Sequence, residues 1–353
     1  MNVLGSQFPK LHDRLPLLPL AELPTPVNSA DELAGRAGLQ NLTIKRDDLT
    51  GEVYGGNKVR KLEYLLGDAL DRNCDSVVTF GAAGSNHVLA TAIYARQHGL
   101  KCYAILIDQA AKPYVNDTLR YHALLGTELL RADGYRQANR VYEETIAGHP
   151  TGPEHVYKIG WGGTSWLGNT GFVNAALELA AQVGSEPPDV IYLASGSLGT
   201  TIGLAIGLRI AGLSTRLVAV KVVPSPATAS DLIKSLYETT NNELHDRDSS
   251  FPIIPDPLKN IELRDGFLGA GYAELTEECL QAVDMIRDLE NIKLDTTYTG
   301  KALAALIHDA GAGKLDGRRV LFWNTYNSRP YPEDINTIAR DKIPEAFRKY
   351  LTD

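Results

Sequence analysis

The chain alternates short runs of apolar, often β-branched residues with longer stretches in which apolar residues recur at helical spacing. The runs that predict strands are LTIKRD (42–47), SVVTF (76–80), CYAILI (102–107), TELLRA (127–132), VIYLA (190–194), LVAVKV (217–222) and VLFW (320–323). A helix is predicted between most of them. Because this alternation is typical of parallel sheets covered by helices, we expect an α/β fold.

Length and composition narrow the class of protein. A chain of 353 residues exceeds one hydrophobic core, so two domains are predicted. The net charge of −8 argues against a nucleic-acid partner, which needs clustered Lys and Arg. The cysteines are far apart and lack metal-ligand spacing, and the N-terminal residues show no export signal. The three cysteines are therefore interpreted as reduced thiols of a cytoplasmic protein that binds no metal, and they are Cys74, Cys102 and Cys279.

Residues 190–208 contain no charged side chain and are long enough to span a bilayer. The middle of this stretch is SGSLGTT, which is polar and rich in glycine. Such a centre is unfavourable in lipid, whereas it suits a buried strand, a tight turn and a packed helix. We therefore predict no membrane segment here.

Three predicted strands end in residues rich in Gly, Ser, Thr and Asn: GAAGSN after Phe80, SGSLGTT after Ala194 and NTYNS after Trp323. Ligands of open α/β sheets usually bind at the carboxyl ends of strands, so these loops are candidates for chemistry. The glycine-rich segment 160–171 is a candidate crossing between domains, and its GNTG is interpreted as packing. The polar, Pro-rich segment 241–257 is predicted to be a long surface connection.

Lys58 follows a Gly-Gly-Asn turn and begins a predicted amphipathic helix, whose apolar side is formed by Leu62, Leu65, Leu66 and Leu70. Helix N-termini favour acids, and a desolvated amine there loses its proton more easily and becomes a nucleophile. An isolated lysine in such a place is more often a solvated surface residue. Lys61, one turn later, has two interpretations, a phosphate ligand or the partner of a nearby acid.

In SGSLGTT the backbone N–H groups and the dipole of the following helix suit a phosphate. Its spacing matches neither GxGxxG nor GxxxxGK[ST], which disfavours dinucleotides and nucleoside triphosphates, and a turn made only for packing is the alternative. Ser85 is interpreted as a helix N-cap, or as a residue that binds a substrate carboxylate or transfers a proton. Asn86 is a candidate for a ring oxygen, and His87 is interpreted as a packed histidine.

Four blocks, KRDDLTGEVYGGNKVRKLEYLL, TFGAAGSNH, ASGSLGTTIGL and LDTTYTGKAL, resemble in order and spacing the family of D-cysteine desulfhydrase and 1-aminocyclopropane-1-carboxylate (ACC) deaminase. The resemblance covers nearly the whole chain. It implies pyridoxal 5′-phosphate (PLP) as cofactor and PLP fold type II, similar to the tryptophan synthase β chain: two open, twisted, mostly parallel sheets flanked by helices, with the active site between the domains. We expect a discontinuous large domain, 1–55 with 166–353, and a small domain, 56–165.

The resemblance also implies roles for individual residues. Lys58 would carry PLP covalently and act as the base at the substrate α-carbon. The implied catalytic residues are Lys58, Ser85, Tyr272 and Tyr298. The implied cofactor contacts are Lys58, Lys61, Asn86, Gly196, Ser197, Leu198, Gly199, Thr200, Thr201 and Thr325.

Three departures from the family pattern concern the substrate. Thr299 stands where ACC deaminases carry a glutamate that faces the pyridine nitrogen, and the D-cysteine branch has the same YTGK. A carboxylate keeps that nitrogen protonated, whereas a hydroxyl leaves it closer to neutral. Gly84 replaces the usual glutamine, and Tyr326 with Asn327 replaces a glycine pair.

We therefore predict a PLP-dependent lyase, most simply one that converts D-cysteine to pyruvate, hydrogen sulfide and ammonia. The alternatives within the class are ACC deamination to 2-oxobutanoate and ammonia, another β-elimination, or racemisation. A NAD-dependent oxidoreductase is disfavoured because GxGxxG is absent, and a non-catalytic binding protein because Lys58 is retained. The expected form is a cytoplasmic homodimer that acts on a small amino acid and binds neither nucleic acid nor membranes.

Overall fold

The computed structural model describes residues 2–224 and 229–352, which divide into two compact units. The first unit contains the described residues of 1–15, 21–61 and 164–329, and the second those of 16–20, 62–163 and 330–353. The expected domain boundaries at 55/56 and 165/166 stay a prediction. The boundary at 163/164 lies in the glycine-rich segment singled out above.

Helices account for much of both units. They are α1 (Val3–Gln7), α2 (Pro9–Arg14), α3 (Asp31–Ala37), α4 (Lys58–Asp71), α5 (Asn86–Gln97), α6 (Pro113–Leu125), α7 (Tyr135–Ala147), α8 (Trp166–Val183), α9 (Gly199–Ile210), α10 (Ala229–Arg247), α11 (Glu277–Glu290) and α12 (Thr299–Gly311). Short 3₁₀ helices lie at Asp47–Leu49, Pro153–His155, Trp161–Gly163, Glu333–Thr337, Arg340–Lys342 and Glu345–Tyr350.

The strands form one sheet in each unit. They are β1 (Val27–Ser29), β2 (Asn41–Lys45), β3 (Ser76–Ala82), β4 (Lys101–Ile107), β5 (Glu128–Ala132), β6 (Val156–Ile159), β7 (Val190–Ser195), β8 (Arg216–Lys221), β9 (Ile261–Arg264) and β10 (Arg319–Trp323). The order is β1-β2-β10-β7-β8-β9 in the first unit and β5-β4-β3-β6 in the second. Every pair is parallel except β1 with β2. The predicted strands are all present, and the predicted fold class is confirmed.

The strands that the sequence did not predict are β1, β6 and β9. Each has three or four residues and lies at an edge of its sheet. β9 is half-buried throughout, so its residues show no continuous apolar run. Their pairing with β2, β3 and β8 defines them rather than their own pattern.

Helices α8 and α9 form the most apolar layer of the first unit and pack tightly on one another. A Cβ at Gly203 would stand 2.5 Å from Cβ of Phe172, and one at Gly207 would stand 2.6 Å from Cβ of Ala176. The glycines of α9 therefore allow close helix packing. Residues 190–208 thus form β7, a turn and most of α9, and among the described residues no helix is long and apolar enough to cross a membrane.

The second unit packs its C-terminal residues against the loop that follows β3. Ile343, Phe347 and Tyr350 share a buried apolar cluster with Ala83 and Val88. The other side of the sheet buries a second cluster that includes residues of β3, β4 and α7. The loop after β3 is thus braced by residues more than 250 positions away in the chain.

The prediction of a surface connection at 241–257 is wrong for much of its length. Helix α10 continues to Arg247, and Asn241 is buried within it. The Asn241 side chain donates to the carbonyl of Pro252 (2.9 Å) and accepts from the N–H of Ile254 (2.6 Å). Phe251 is fully buried against Phe8, with ring centroids 5.0 Å apart. The polar composition reflects the solvated face of a helix and an internally bonded return.

Candidate active site

Lys58 is the first residue of α4, as predicted, and the glycine turn before it is fixed by a distant loop. Gly56 has a φ of 93°, and a Cβ there would stand 3.0 Å from the carbonyl oxygen of Thr325. The N–H of Gly55 donates to Oδ1 of Asn327 (2.7 Å). Asn327, which departs from the family pattern, therefore holds the turn that places Lys58.

The Lys58 side chain is half-buried and forms no hydrogen bond or ion pair with another described residue. Burial lowers the pKa of its amine to about 8, although the carboxylate of Asp295 acts in the opposite direction. Lys61 is fully buried, and its pKa lies well below the ordinary value, first through burial and then through the charge of Lys58. Both amines thus hold their protons weakly, which suits a nucleophile at Lys58.

An anion cradle lies at the start of α9. Leu198 has a φ of 68°, and α9 has no side-chain cap, so the N–H groups of its first turn lack intrahelical acceptors. A Cβ at Gly199 would stand 2.6 Å from Nζ of Lys61 and 2.8 Å from Oγ1 of Thr164. Lys61 donates to Thr164 (3.4 Å), and Thr164 donates to Ser197 (2.7 Å). An amine, hydroxyls and helix amides converge here, which fits a phosphate.

The same loop is tied to the turn before Lys58 and to Tyr298. Nδ2 of Asn57 donates to Oγ1 of Thr200 (3.0 Å), one residue after Gly199. A Cβ at Gly196 would stand 3.6 Å from Cε1 of Tyr298. The implied cofactor contacts from Lys58, Lys61 and residues 196–201 are therefore brought together within the first unit.

Asp295 is a half-buried carboxylate that sequence reasoning missed. It accepts hydrogen bonds from the N–H groups of Thr297 (3.2 Å), Tyr298 (3.0 Å) and Thr299 (2.9 Å), and from the hydroxyl of Thr299 (2.6 Å). Burial raises its pKa, and the bonds from Thr299 oppose that rise. Asp295 thus holds the turn that leads into α12, whose N-cap is Tyr298, and it accepts the hydroxyl proton of Thr299. The signal in the sequence was an aspartate just before a helix.

The two tyrosines implied to be catalytic are paired. Their phenolic oxygens lie 2.7 Å apart, and either Tyr272 or Tyr298 can be the donor. The ring centroids are 6.1 Å apart at 74°, an edge-on arrangement. The pair can therefore direct one phenolic proton away from itself.

A buried charge network fixes the start of α4 from within. Arg60 donates to Asp47 (2.7 and 3.0 Å) and to Glu178 (2.9 and 3.0 Å), while Lys45 donates to Glu178 (2.6 Å). All four side chains are fully buried. Burial favours the neutral acid, yet Arg60 and Lys45 lower the pKa of Glu178 to about 2. Two cations face two anions, so the network is internally neutral.

In the second unit Ser85 is the N-cap of α5 and accepts from the N–H of Val88 (3.4 Å). Asn86 is the first residue of that helix. His87 is buried, and its Nε2 lies 3.0 Å from Oγ1 of Thr79, as expected of a packed histidine. The place of a side chain at Gly84 is taken by Tyr114, since a Cβ at Gly84 would stand 2.5 Å from Cε2 of Tyr114.

Comparison with known proteins identifies the family. The family model described as pyridoxal-phosphate dependent enzyme matches residues 18–325. The chain belongs to this family. A D-cysteine desulfhydrase from Klebsiella pneumoniae (strain 342) is 36% identical over 299 residues, which are 83% of this chain and 88% of that protein.

Solved structures agree with this family. The crystal structure of an ACC deaminase homologue matches with a TM-score of 0.80 and 30% identity, covering 93% of this chain and 95% of that one. The processed form of threonine deaminase isoform 2 from Solanum lycopersicum matches with a TM-score of 0.59 and 16% identity, over 95% of this chain and 90% of that one. The second match shows the fold alone.

The protein is a PLP-dependent enzyme, and its cofactor is PLP. The first unit fits this group on its own geometry: a glycine cradle receives Lys61 and Thr164, and a half-buried amine stands at Lys58. The resemblance of family, fold and cofactor stated from the sequence is confirmed.

Proposed function

We propose that this enzyme is a D-cysteine desulfhydrase, which uses water to convert D-cysteine to pyruvate, hydrogen sulfide and ammonia. The similarity to the Klebsiella desulfhydrase over most of both chains supports this substrate. The observation that carries the choice over ACC is Thr299. Its hydroxyl is fully buried, donates to the Asp295 carboxylate (2.6 Å) and accepts from the N–H of Asp295 (3.0 Å), so a neutral oxygen stands where ACC deaminases carry a carboxylate.

The first unit supplies the groups that hold the cofactor. Lys61, Thr164 and the first turn of α9 bind the phosphate, whose negative charge would restore an ordinary pKa to Lys61. Lys58 binds the cofactor covalently, and Thr325 contributes to its binding. When bound, PLP withdraws electrons from the α-carbon of the attached amino acid.

Lys58 also moves the proton at the α-carbon. As a free amine Lys58 would accept the α-proton, and a pKa near 8 leaves about a tenth of such amines neutral at pH 7. The C–S bond then breaks with its electron pair on sulfur. We assign to the Tyr272 and Tyr298 pair the donation of a proton to the departing thiolate. Addition of water to the remaining aminoacrylate releases ammonia and pyruvate.

In the second unit we assign two neighbouring residues at the start of α5 to binding. Ser85 binds the substrate carboxylate through its hydroxyl, which as an N-cap has a fixed direction. Asn86 binds the phenolic oxygen of the cofactor. His87 is left out of the chemistry, because it is buried against Thr79.

We further propose a cytoplasmic homodimer. The cysteines are free and buried, which suits a reducing compartment. Sedimentation velocity of the holoenzyme tests the assembly: a species near twice 38.4 kDa is expected, and a single species at 38.4 kDa would contradict it.

The deciding experiment combines cofactor trapping with a substrate screen. Borohydride reduction of the yellow holoenzyme, followed by peptide mapping, is expected to leave the cofactor fixed to Lys58. A screen of D-cysteine, L-cysteine, D-serine and ACC for keto-acid release is expected to favour D-cysteine, and Lys58→Ala should reduce turnover by at least about a thousandfold. Lys301→Ala, at another buried lysine, is the control for trapping.

Two results would overturn this assignment in different ways. A colourless protein, or label at a lysine other than Lys58, would remove Lys58 from its role. Keto acid from ACC but not from D-cysteine would make the enzyme an ACC deaminase instead.

A further inference from the structure

Tyr114 occupies the space beside the glycine that begins the Ser85 loop. A Cβ at Gly84 would stand 2.5 Å from Cε2 of Tyr114 and 2.9 Å from Cγ2 of Val115. Side chains do not approach so closely in packed interiors. Gly84 is not among the residues with a positive φ, so space rather than backbone conformation requires glycine here. Position 84 and Tyr114 are therefore complementary in volume.

Gln109 joins these two residues through both ends of one amide. Its Oε1 accepts from the N–H of Gly84 (2.8 Å), and its Nε2 donates to the phenolic oxygen of Tyr114 (2.9 Å). A planar amide bonded at both ends fixes the distance between the loop and the ring. Displacement of Tyr114 would thus move the backbone at Gly84 as well.

The C-terminal residues hold Gln109 in turn. The N–H of Gln109 donates to the phenolic oxygen of Tyr350 (3.0 Å), which also lies 3.1 Å from Oδ1 of Asp108. Tyr350 belongs to the apolar cluster that contains Ala83 and Val88. We call Gln109 and Tyr114 the clamp. Because Tyr350 and Asp108 hold the clamp from its outer side, it cannot move with the loop without breaking hydrogen bonds.

The loop backbone has little freedom left. The N–H of Ala83 donates to the carbonyl of Ile107 (3.0 Å), and that of Ser85 donates to the carbonyl of Ala82 (2.9 Å). With Gly84 bonded to Gln109, three consecutive N–H groups are engaged. The position of the Ser85 hydroxyl is therefore set by this bonding pattern and by its role as N-cap.

Resting on the proposed function, in which Ser85 binds the amino-acid carboxylate, we propose that Tyr114 and Gln109 are positioning residues that set the affinity for the amino acid. Tyr114 fills the volume that a glutamine side chain at position 84 takes in the family pattern. Gln109 transmits the position of the ring to the loop. Small displacements of such a group weaken binding strongly, because hydrogen-bond geometry is steep in distance and angle.

The test is a cycle of Gly84→Ala, Tyr114→Ala and the double variant, with KM, kcat and cofactor absorbance measured on each holoenzyme. Gly84→Ala is expected to raise KM about tenfold or more while changing kcat by less than about threefold. In the double variant KM should fall most of the way back to the wild-type value, because the clash with the Tyr114 ring is gone and only the contact with Val115 remains. Gly84→Ala in a Tyr114→Phe background should not recover, because the ring is still present.

The control is Gly134→Ala, since a Cβ there meets no atom within 4 Å. It should leave KM unchanged. An additive cycle, or a Gly84→Ala enzyme that loses its cofactor together with its affinity, would overturn the role of Tyr114. The cycle uses D-cysteine, or whichever amino acid releases keto acid in the screen. A wild-type enzyme that is inactive on D-cysteine would therefore contradict the proposed substrate. Additive effects of the two substitutions would contradict the positioning role of Tyr114.

Discussion

The start of α4 and the start of α5 both present a functional residue at a helix N-terminus, yet they are held by opposite means. Under Lys58, the buried ions of Arg60, Asp47, Glu178 and Lys45 hold the backbone. Around Ser85, the Gln109 amide, the phenols of Tyr114 and Tyr350 and backbone groups hold the loop. A charged group enters only on the outer side, where the partly exposed Asp108 accepts from Tyr350 (3.1 Å). A buried ion network loses stability when any one member is removed, whereas neutral clamps tolerate exchange of single groups.

This difference determines which substitutions each region can tolerate. In the proposed function the region of Lys58 binds a cofactor whose chemistry does not vary, which suits a support that fails when any one of its ions is removed. In the proposed function the region of Ser85 binds the amino acid, and a support made mostly of neutral hydrogen bonds can be altered in small steps. The substitution of glycine for glutamine at position 84 is one such step, since Tyr114 fills the space.

The largest effect is expected from breaking the ion network with Arg60→Met. Two carboxylates would remain buried with only Lys45 as a cation, which costs about 3–5 kcal/mol. Urea unfolding of the holoenzyme measures the loss. The matched control is Arg72→Met, whose pair with Asp68 (2.8 Å) is largely exposed at the arginine and should cost below about 1 kcal/mol. Equal losses in the two variants would show that the network is no stronger than a surface pair.

A smaller effect, of opposite sign, is expected at Lys58 itself. Its folded pKa of about 8 lies below the unfolded value near 10.4, so the cofactor-free folded enzyme bears the cost of a protonated amine below pH 8. Between these values the unfolded chain keeps the proton that the folded one has lost, so stability rises with pH. Lys58→Met should stabilise the cofactor-free enzyme at pH 7 by up to about 3 kcal/mol.

The measurement is urea unfolding of the cofactor-free proteins from pH 7 to pH 10, with the exposed Lys234→Met as control. The advantage of Lys58→Met should shrink above pH 8, whereas Lys234→Met should follow the wild type throughout. An advantage that is constant with pH would mean that packing, not the charge, makes Lys58 costly.

The smallest effect is expected in the neutral clamp. Tyr350→Phe removes a hydroxyl that accepts from the N–H of Gln109 and donates to the partly exposed Asp108, and the two bonds together are worth about 1–2 kcal/mol. The unfolding free energy should fall by that amount, with a rise in KM of only about two- to threefold. A loss as large as that of Arg60→Met would erase the contrast between the two regions.

The sequence was sufficient for the features that depend on local pattern. Apolar runs located the interior strands, and the glycine turn with its leucine periodicity placed Lys58 at a helix start. Ser85 was predictable as an N-cap because the residue type and the following helix are local signals. The edge strands were missed because their pairing, not their composition, defines them.

The supports of the site could not be predicted, because they join residues distant in sequence. Thr164 meets Lys61 across 103 positions, and Asn327 meets Gly55 across 272. The reason for glycine at position 84 lies 30 residues later, at Tyr114. No periodicity or spacing records such contacts, so sequence reasoning placed Lys58 at a helix start but not the contacts that hold it there. The reactivity of Lys58 and the cofactor contacts of Lys61 and residues 196–201 stay predictions. The roles assigned to Ser85, Asn86, Tyr272, Tyr298 and Thr325 stay predictions until tested.

Lys58 and Lys61 lie one helical turn apart at the proposed cofactor site. Burial and the charge of Lys58 both lower the pKa of Lys61, so the two amines are costly to protonate together. In the proposed site the phosphate of PLP would supply an anion to Lys61, and covalent attachment would remove the free amine of Lys58. Cofactor binding would therefore also lower the electrostatic free energy of the folded protein. Cofactor supply and protein lifetime become linked quantities, since a molecule that never acquires PLP keeps two costly amines inside its fold.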